Sequence, residues 1–192
     1  MLRFAPSPTG FMHVGNARIA ILNYLFARKM NLNFILRLDD TDIERSDIKF
    51  SEAIKKDLSW LGIKYDDEVK QSARFDLYDE NSEKLKSKGK IYACYETSEE
   101  LDLKRKIQLK MGKPPIYDRA ALRNTKQEII NFQREGRKPH WRLKLDGNSI
   151  QWKDLIHNDV SFKNLSISDP VVIRSDKTPL FTLTSVIDDI DL

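Results

Sequence analysis

Residues Arg3–Met30 read RFAPSPTGFMHVGNARIAILNYLFARKM and join a crowded loop to a long apolar run. Just before the loop, Leu2–Ala5 is short, apolar and closed by Pro6, which predicts a buried strand. Proline, glycine and histidine then crowd the chain as far as His13, and residues of these types favour a shaped loop. From Gly15 to Lys29 apolar residues recur at helical spacing and leave only a narrow polar stripe, which predicts a mostly buried helix.

The next apolar segment, FILRL at Phe34–Leu38, predicts a second strand. Strand, loop, helix and strand in this order form a βαβ unit, whose strands are expected to be parallel with a right-handed crossover. Further helices are predicted from Ser46 onward and from about Ala73 to Lys88, before Gly89. Residues 1–88 are therefore interpreted as α/β, the first half of a Rossmann-like domain built on a parallel sheet.

The chain becomes more charged after residue 88, where IYACY predicts a short strand. Polar helices are predicted at Thr97–Gly112, which starts with capping-box spacing, and at Asn124–Glu135. The segment HWRLKLDGNSIQW alternates around Asp146–Gly147, which predicts a β-hairpin. Residues 89–168 are interpreted as an α+β connective insertion.

Residues 169–192 are predicted to return to the Rossmann-like sheet. VVIR and LFTLTSVI are interpreted as strands separated by a turn at Ser175–Thr178. The sheet is then expected to be incomplete, with the chain stopping in the middle of the domain.

The composition limits the possible classes of protein. Of the 192 residues, 40% are hydrophobic and 32% are charged, which allows a core and argues against a membrane protein. No apolar run approaches the roughly 18 residues of a membrane span, and the N-terminus lacks a secretory pattern. The only cysteine, Cys94, cannot form an internal disulfide and fits a reducing cytoplasm. A formal net charge of +4 is compatible with an RNA or nucleotide partner.

Two loops are expected to meet at one edge of the predicted sheet. Pro6–Gly10 follows the first strand and Asp39–Asp42 follows the second, and ligands of parallel sheets bind outside the carboxyl ends of the strands. Gly15 and Asn16 lie at the start of the buried helix, where backbone N–H groups and the helix dipole favour a phosphate. His13 could donate a hydrogen bond to a phosphate oxygen as charge builds up. The sequence therefore predicts an anion-binding site that acts by positioning.

Other interpretations of the same residues remain open at this point. His13 could be an ordinary turn residue. The carboxylates of the second loop could cap the following helix; these are Asp39, Asp40 and Asp42. Arg3 and Arg37 could be simple ion-pair partners of those carboxylates.

The segments RFAPSPTGFMHVGNAR and FILRLDDTDIERS closely resemble the N-terminal signature of the glutamyl-tRNA synthetases, which are class I aminoacyl-tRNA synthetases. His13–Asn16 stands where that class has its HIGH motif. The resemblance continues through YACYETSEELDLKRKIQL, PPIYDRAAL, PHWRLKLD and TLTSVIDDID, and it covers essentially the whole chain.

The resemblance implies a class I synthetase fold and the ATP-dependent attachment of glutamate to tRNA(Glu) through a glutamyl-adenylate. It implies that glutamate is bound at Arg3, Ala5, Ser7, Asp39, Phe181 and Ser185. It implies that ATP, with Mg²⁺, is bound at Pro6, Thr9, His13, Gly15 and Asn16. It implies a catalytic role for His13, Gly15 and Asn16.

Some residues depart from the family pattern. Asn16 replaces the last histidine of the HIGH motif, and Asp39 is one methylene shorter than the glutamate of many members. Phe181 and Ser185 stand where some members have tyrosine and asparagine. Some members bind structural zinc through several cysteines of the insertion, and with Cys94 alone no zinc is expected here.

The resemblance also implies that the insertion binds the acceptor stem of tRNA and that the chain is the N-terminal part of a longer, monomeric enzyme. The KMSKS-type loop and the anticodon-binding helices of the family would lie outside the 192 residues. Three alternatives remain: a paralogue that glutamylates queuosine in tRNA(Asp), a non-catalytic RNA- or nucleotide-binding module, and a small nucleotidyltransferase. The small nucleotidyltransferases lack the APSPTG and DDTD segments that this chain has.

Overall fold

A computed structural model describes residues 1–42, 44–163 and 167–192. The strands are β1 (Leu2–Phe4), β2 (Phe34–Leu38), β3 (Asp67–Lys70), β4 (Ile91–Cys94), β5 (His140–Leu143), β6 (Ser149–Asp154), β7 (Asn158–Lys163) and β8 (Val171–Ile173). The α-helices are α1 (Val14–Lys29), α2 (Ile48–Trp60), α3 (Phe75–Ser87), α4 (Ser98–Lys110), α5 (Lys126–Arg134) and α6 (Phe181–Asp191). Short 3₁₀ helices lie at Gln71–Arg74 and Ala120–Arg123.

The chain forms two compact units. The first contains residues 1–81 together with 181–192, and the second contains residues 82–180. Helix α3 begins in the first unit and ends in the second. The division of the chain by function at residues 88 and 168 stays a prediction.

The first unit is built on a parallel sheet in the order β1–β2–β3. This confirms the predicted α/β fold with a parallel β1–β2 pair. Strand β2 is buried along its whole length, as expected for a central parallel strand covered on both faces. Its side chains form a core with residues of β1, α1 and α2, which include Phe4, Ala20, Ala27, Ile54 and Leu58.

The prediction that α1 is mostly buried is wrong. Of its residues only Ala20 and Ala27 are fully buried, while Ile19, Leu22 and Leu25 are each more than half exposed. The two alanines lie seven positions apart, so they face the same side and let the helix approach the sheet closely. The side chains of Ile19, Leu22 and Leu25 therefore point away from this core, whereas Ile21 and Tyr24 pack against it.

The second unit has an antiparallel sheet in the order β4–β5–β8 and a separate hairpin of β6 and β7. The predicted hairpin around Asp146–Gly147 is wrong, because β5 pairs with β4 and β8 and not with β6. The Asp146 carboxylate instead accepts a hydrogen bond from the Asn148 N–H at 3.1 Å, which makes a local turn. Strand β6 turns back at Asp154 and pairs with β7 along its length.

The prediction of a strand at LFTLTSVI is also wrong, because this segment begins α6. Its β-branched residues favour strands. However, the buried positions include Leu183, Thr184, Ile187 and Asp188, which share one face of a helix. VVIR does form a strand, β8, but it pairs with β5 in the second unit. The chain re-enters the first unit as a helix and not as a strand.

Asp169 links the elements of the second unit. Its buried carboxylate accepts hydrogen bonds from the Tyr92 hydroxyl at 2.6 Å, from Arg119 at 2.7 Å and from the Leu145 N–H at 3.1 Å. Burial raises the pKa of Tyr92, and the bond to Asp169 raises it further. The phenol therefore remains a donor at neutral pH.

In the parts of the chain that the structure describes, every helix is too short or too polar to span a membrane.

Candidate active site

The loops after β1 and β2 lie side by side at the carboxyl edge of the sheet. The Asp39 N–H donates to the Pro6 carbonyl at 3.0 Å, and the Asp47 N–H donates to the Pro8 carbonyl at 3.1 Å. The Phe11 ring meets the Phe50 ring edge-on, with 5.1 Å between centroids. Backbone hydrogen bonds and this ring contact therefore fix a loop that has little regular structure of its own.

His13 caps the start of α1 and shapes the turn before it. Its Nδ1 accepts a hydrogen bond from the Gly15 N–H at 3.0 Å, and its own backbone N–H donates to Asn16 Oδ1 at 3.3 Å. A neutral imidazole that accepts through Nδ1 carries its proton on Nε2. The side chain is exposed, so this N–H can donate to a ligand in front of the helix.

Gly15 is needed for the packing of the His13 ring. A Cβ at this position would lie 2.8 Å from His13 Cε1 and 2.9 Å from Nδ1. Real Cβ atoms do not approach other atoms so closely, so a side chain here would push the ring out of its place. Gly10, in the same loop, has open space within 4 Å of the point where a Cβ would lie.

Arg37 and Asp39 form a buried ion pair at the end of β2. Arg37 Nε donates to Asp39 Oδ1 at 2.7 Å and Nη2 donates to Oδ2 at 3.1 Å, with both side chains almost fully buried. The interpretation of Arg37 as an ion-pair partner of this carboxylate is confirmed. Burial raises the pKa of Asp39, and the hydrogen bonds from Arg37 oppose that rise.

The same guanidinium connects β2 to α6. Arg37 Nη2 donates to Ser185 Oγ at 3.0 Å and Nη1 donates to Asp189 Oδ1 at 2.9 Å. Arg3, on β1, also binds Asp189, with 2.5 Å from Nε to Oδ1 and 2.7 Å from Nη2 to Oδ2. The interpretation of Arg3 as a partner of the carboxylates after β2 is therefore wrong, because its partner lies on α6.

A second carboxylate of α6, Asp188, is buried on the adjacent side of the helix. It accepts hydrogen bonds from Gln71 Nε2 at 2.8 Å, from Arg74 Nε at 2.9 Å and from the Tyr78 hydroxyl at 2.9 Å. Burial raises the pKa of Tyr78, with a further contribution from Asp188. Sequence reasoning missed all four residues. The pair of adjacent carboxylates in SVIDDID could have indicated this group. The preceding residues, LFTLTSVI, are interpreted from the sequence as a strand and not as the start of a helix, so the pattern is not recognised.

The capping interpretation fails for the carboxylates to which it was applied. The side chain that caps α2 is Asp47, which accepts from the Lys49 N–H at 2.9 Å. Asp40 accepts from the Ser72 N–H at 2.8 Å and from Ser72 Oγ at 2.7 Å. Asp42 binds Arg45 within the turn. Of the carboxylates in this loop, Asp39 alone is fully buried.

The structure places the predicted site residues in two groups within the first unit. Arg37 binds Asp39 and Ser185 directly and is linked to Arg3 through Asp189, and Arg3 Nη2 approaches Ser185 Oγ at 3.5 Å. The other group is the start of α1, with His13, Gly15 and Asn16. Within the described residues, no side-chain hydrogen bond joins the two groups. Four further predicted residues are half-buried or exposed and have no side-chain hydrogen bond to either group: Ala5, Ser7, Thr9 and Phe181.

The arrangement has the elements of a site for two anions. One is the helix start with a ring N–H, which suits a phosphate. The other is the half-exposed guanidinium of Arg3 near a buried carboxylate, which suits a zwitterion. Arg3 and Asp189 both line an open cavity of about 340 Å³. Such a site can orient substrates and stabilise charge, and among the described residues it offers no nucleophile activated by a base.

Cys94, the residue that bears on the expectation about zinc, is buried in the second unit. Burial raises the pKa of its thiol to about 11. The Tyr117 hydroxyl lies 3.8 Å from Cys94 Sγ and donates to Glu96 Oε1 at 2.8 Å. Whether the protein binds zinc stays a prediction.

Comparisons with known proteins place this geometry in a family. The family model described as tRNA synthetases class I (E and Q), catalytic domain, matches residues 1–192. Glutamate–tRNA ligase 1 of Maricaulis maris is 56% identical over 190 residues, which are 99% of this chain and 43% of that protein. Glutamate–tRNA ligase 1 of Wolbachia pipientis from Culex pipiens is 53% identical over 192 residues, with the same 43% of its length covered.

Solved structures agree with the fold. A glutamate tRNA ligase from Elizabethkingia meningosepticum, crystallised in complex with its amino acid, superposes with a TM-score of 0.88 at 30% identity. The match covers 98% of this chain and 41% of that one. The glutamate–tRNA synthetase of Elizabethkingia anophelis gives a TM-score of 0.89, also at 30% identity, over 98% of this chain and 42% of that one. The chain thus spans less than half the length of the relatives it matches. With its parallel sheet, its histidine-capped helix start and a match over every residue, this chain belongs to the class I tRNA synthetases for glutamate and glutamine, in their catalytic domain.

Proposed function

We propose that these residues work as the N-terminal part of a glutamate–tRNA ligase that activates glutamate with ATP and transfers it to tRNA(Glu). The observation that carries the proposal is the pairing, in one compact unit, of a phosphate-binding helix start with the Arg3, Arg37 and Asp39 group. The names of the relatives support the same activity.

ATP, with Mg²⁺, is the substrate proposed for the start of α1. His13 offers its Nε2 proton, because Nδ1 is occupied by the Gly15 N–H. Asn16 uses its Oδ1 for the His13 N–H, which leaves its amide NH₂ as a donor. Pro6 and Thr9 belong to the loop that leads to this helix start. The helix dipole and these donors favour the negative charge of a phosphate chain.

Glutamate is the substrate proposed for the arginine group. The Arg3 guanidinium can bind the side-chain carboxylate with two parallel hydrogen bonds. Asp39 can bind the α-ammonium group, because each of its oxygens has a lone pair beyond the one that Arg37 uses. The remaining residues proposed for this pocket are Ala5, Ser7, Phe181 and Ser185. Glutamine, without the second charge, leaves Arg3 poorly matched, at a cost of about 1–3 kcal/mol.

The proposed reaction has two steps. An oxygen of the glutamate α-carboxylate attacks the α-phosphorus of ATP, and the bond to pyrophosphate breaks, with its electron pair leaving on pyrophosphate. A ribose hydroxyl of the terminal adenosine of tRNA then attacks the activated carbonyl. The bond from this carbonyl to the phosphate oxygen breaks, and AMP leaves with the electron pair while its phosphate takes up the proton of the hydroxyl. His13 donates to a phosphate oxygen whose charge grows in the first step. The protein acts mainly by holding the two reactants in line.

The finer parts of the proposal concern the partners. Residues 89–168 are proposed to bind the acceptor stem of tRNA, since the helices α4 and α5 expose lysines and arginines that can contact phosphates. The full-length enzyme is proposed to be a monomer in the cytoplasm, without structural zinc.

The test is glutamate-dependent ATP–pyrophosphate exchange by the full-length enzyme with tRNA(Glu) present. Arg3→Ala is expected to raise the KM for glutamate by about tenfold or more and to leave the KM for ATP nearly unchanged. The matched control is Arg28→Ala. It also removes a two-pronged ion pair, that with Asp66, but this pair lies at the C-terminal end of α1, whereas His13 caps the N-terminal end. A control that impairs glutamate use equally would refute the assignment.

Charging assays separate the alternatives. Glutamylation of tRNA(Asp) and not of tRNA(Glu) would identify the queuosine-modifying paralogue. Binding of ATP or RNA with no exchange at any glutamate concentration would identify a non-catalytic module.

A further inference from the structure

Asp189 lies between two guanidinium groups. Its Oδ1 accepts from Arg3 Nε at 2.5 Å and from Arg37 Nη1 at 2.9 Å, and its Oδ2 accepts from Arg3 Nη2 at 2.7 Å. Arg37 is fully buried, whereas Arg3 and Asp189 keep 36% and 42% of their side chains exposed. One carboxylate therefore ties a half-exposed arginine to a buried one.

The pairing uses only one edge of Arg3. A guanidinium has two edges that can hold a carboxylate with two parallel N–H bonds, and Asp189 occupies the edge formed by Nε and Nη2. Within residues 1–42, 44–163 and 167–192, nothing accepts a hydrogen bond from Arg3 Nη1. The edge formed by Nη1 and the second Nη2 proton therefore stays available for a ligand, apart from the long contact of 3.5 Å to Ser185.

We propose that Asp189 is a positioning residue for the amino-acid substrate: it holds the Nε edge of Arg3 so that the opposite edge meets the side-chain carboxylate of glutamate. The inference rests on the proposed function, in which Arg3 binds that carboxylate. It adds a residue of α6 that does not itself touch the substrate.

The charges explain why Arg3 depends on Asp189. Arg3 and Arg37 share one carboxylate, so without it two like charges would face each other. Arg37 is held by Asp39 and Ser185 as well, but within the described part of the chain Arg3 has only the weak Ser185 contact to replace Asp189. Arg3 would then turn toward solvent. Hydrogen bonds from Arg3 lower the pKa of Asp189, so the carboxylate is ionised at neutral pH.

Competition between Asp189 and the substrate for Arg3 would have the opposite sign. In that case the removal of Asp189 would free the arginine, and the KM for glutamate would fall. The sign of the change therefore decides between positioning and competition.

The experiment measures exchange by the full-length enzyme with tRNA(Glu). Asp189→Asn keeps the size of the side chain but cannot accept from both donors of the Arg3 edge. The KM for glutamate is expected to rise about 10-fold to 100-fold, with the KM for ATP changed by less than about twofold. Asp189→Glu keeps the charge and is expected to recover part of the loss.

Asp191→Asn is the matched control. It lies on the same helix, is half exposed and loses an ion pair with Arg74, but it does not contact Arg3. Its KM for glutamate is expected to stay within about twofold of the unaltered enzyme. Thermal melting of both variants shows whether a change follows from lost stability. An equal rise in the control would overturn the inference.

A double-mutant cycle with Arg3 completes the test. In an Arg3→Ala background, Asp189→Asn is expected to change the KM for glutamate by less than about twofold, because its effect acts through Arg3. An additive rise, an unchanged KM in the single Asp189→Asn variant, or a fall in KM would each overturn the inference while leaving the proposed function intact. An Arg3→Ala variant with unchanged glutamate kinetics would overturn the proposed function itself.

Discussion

The imidazole of His13 has two nitrogens with different tasks. Nδ1 accepts the Gly15 N–H and caps α1, while Nε2 is the nitrogen proposed to donate to a phosphate oxygen. His13→Asn tests the two tasks separately, because an asparagine side chain also caps helices. Exchange by the full-length enzyme is expected to fall about 10²-fold to 10³-fold, while the melting temperature stays close to that of the unaltered enzyme.

His13→Ala serves as the comparison, because it removes both nitrogens. It is expected to lose the same activity and, in addition, about 1 kcal/mol of unfolding free energy with the cap. Normal exchange per folded molecule in either variant would show that His13 is only a turn residue.

Gly15→Ala is expected to lower the activity while the stability holds or rises, whereas His13→Ala lowers both. Alanine favours a helix over glycine by up to about 1 kcal/mol, so stability should hold or rise. The new Cβ would lie 2.8 Å from His13 Cε1, so the ring has to leave its place and exchange should fall by about tenfold or more. Gly10→Ala is the control, because no atom of the described residues lies within 4 Å of the added carbon. Equal losses in both variants would show a general effect on the loop.

The residues of the candidate site can be predicted only in part from the sequence. His13, Gly15 and Asp39 lie in motifs that are continuous in sequence, so a single segment carries the signal. The Arg3–Asp189 pair spans 186 positions, and no local pattern states which of many arginines meets which carboxylate. That information comes only from the packing of α6 on the sheet.

Among the elements, the helix ends are the best predicted because their signals are local. Thr97 caps α4 by accepting from the Glu100 N–H, and Glu100 accepts in return from the Thr97 N–H, which confirms the capping box that the spacing predicts. Strand pairing is poorly predicted beyond β1 and β2. The missed strand β3, DEVK, carries three charges in four residues and has no apolar alternation to show it.

One element contact gives a prediction about acid stability. Asp66, just before β3, accepts from the Phe34 N–H at 2.8 Å and from both terminal nitrogens of Arg28 at 3.1 Å. The Phe34 N–H is the largest cause that lowers the pKa of Asp66, followed by Arg28. A lowered pKa means that the folded state favours the ionised form. The stabilisation is therefore present near neutral pH and is lost as the pH falls through the folded-state pKa.

The measurement is urea unfolding of Asp66→Asn at neutral and acid pH. The variant is expected to unfold at lower urea near pH 7, with a difference that shrinks below about pH 4 as the natural carboxylate takes up its proton. Asp67→Asn is the control, because its side chain accepts only from the adjacent Glu68 N–H among the residues that the structure describes. A difference that stays constant with pH would contradict the linkage.

For the whole molecule, the expected activity depends on how much of the relatives' length the chain covers. The chain covers about 43% of their length, and charge on the phosphates needs donors from more than one side. We expect the isolated 192-residue chain not to charge tRNA(Glu), in an assay with the full-length enzyme as positive control. Turnover within about tenfold of that control, a barrier change of about 1.4 kcal/mol, would contradict this.

The same isolated chain is expected to associate with itself. The outer face of α1 exposes Ile19, Leu22 and Leu25, each by more than half, and apolar patches of this kind favour contacts between molecules. Replacing Leu22 and Leu25 with glutamine should lower the mass seen by sedimentation, whereas replacing the exposed Trp60 of α2 should not. If the unaltered chain and both variants are all monomers, the exposed face of α1 is too small to cause association.

The first unit consists of two segments, 1–81 and 181–192, which the ribosome makes at different times. Arg37 is made 152 positions before Asp189, which at cellular rates of about 5–20 residues per second is a delay on the order of ten seconds. During that interval the arginine has Asp39 but not the carboxylate or the hydroxyl of α6. Residues 82–180 are all synthesised before α6, so the second unit can fold while the sheet of the first unit still lacks that helix. The arginine–carboxylate group is thus completed only after α6 has been made, and a substitution that weakens it should lower the yield of folded protein during synthesis more than it lowers the stability of the finished molecule.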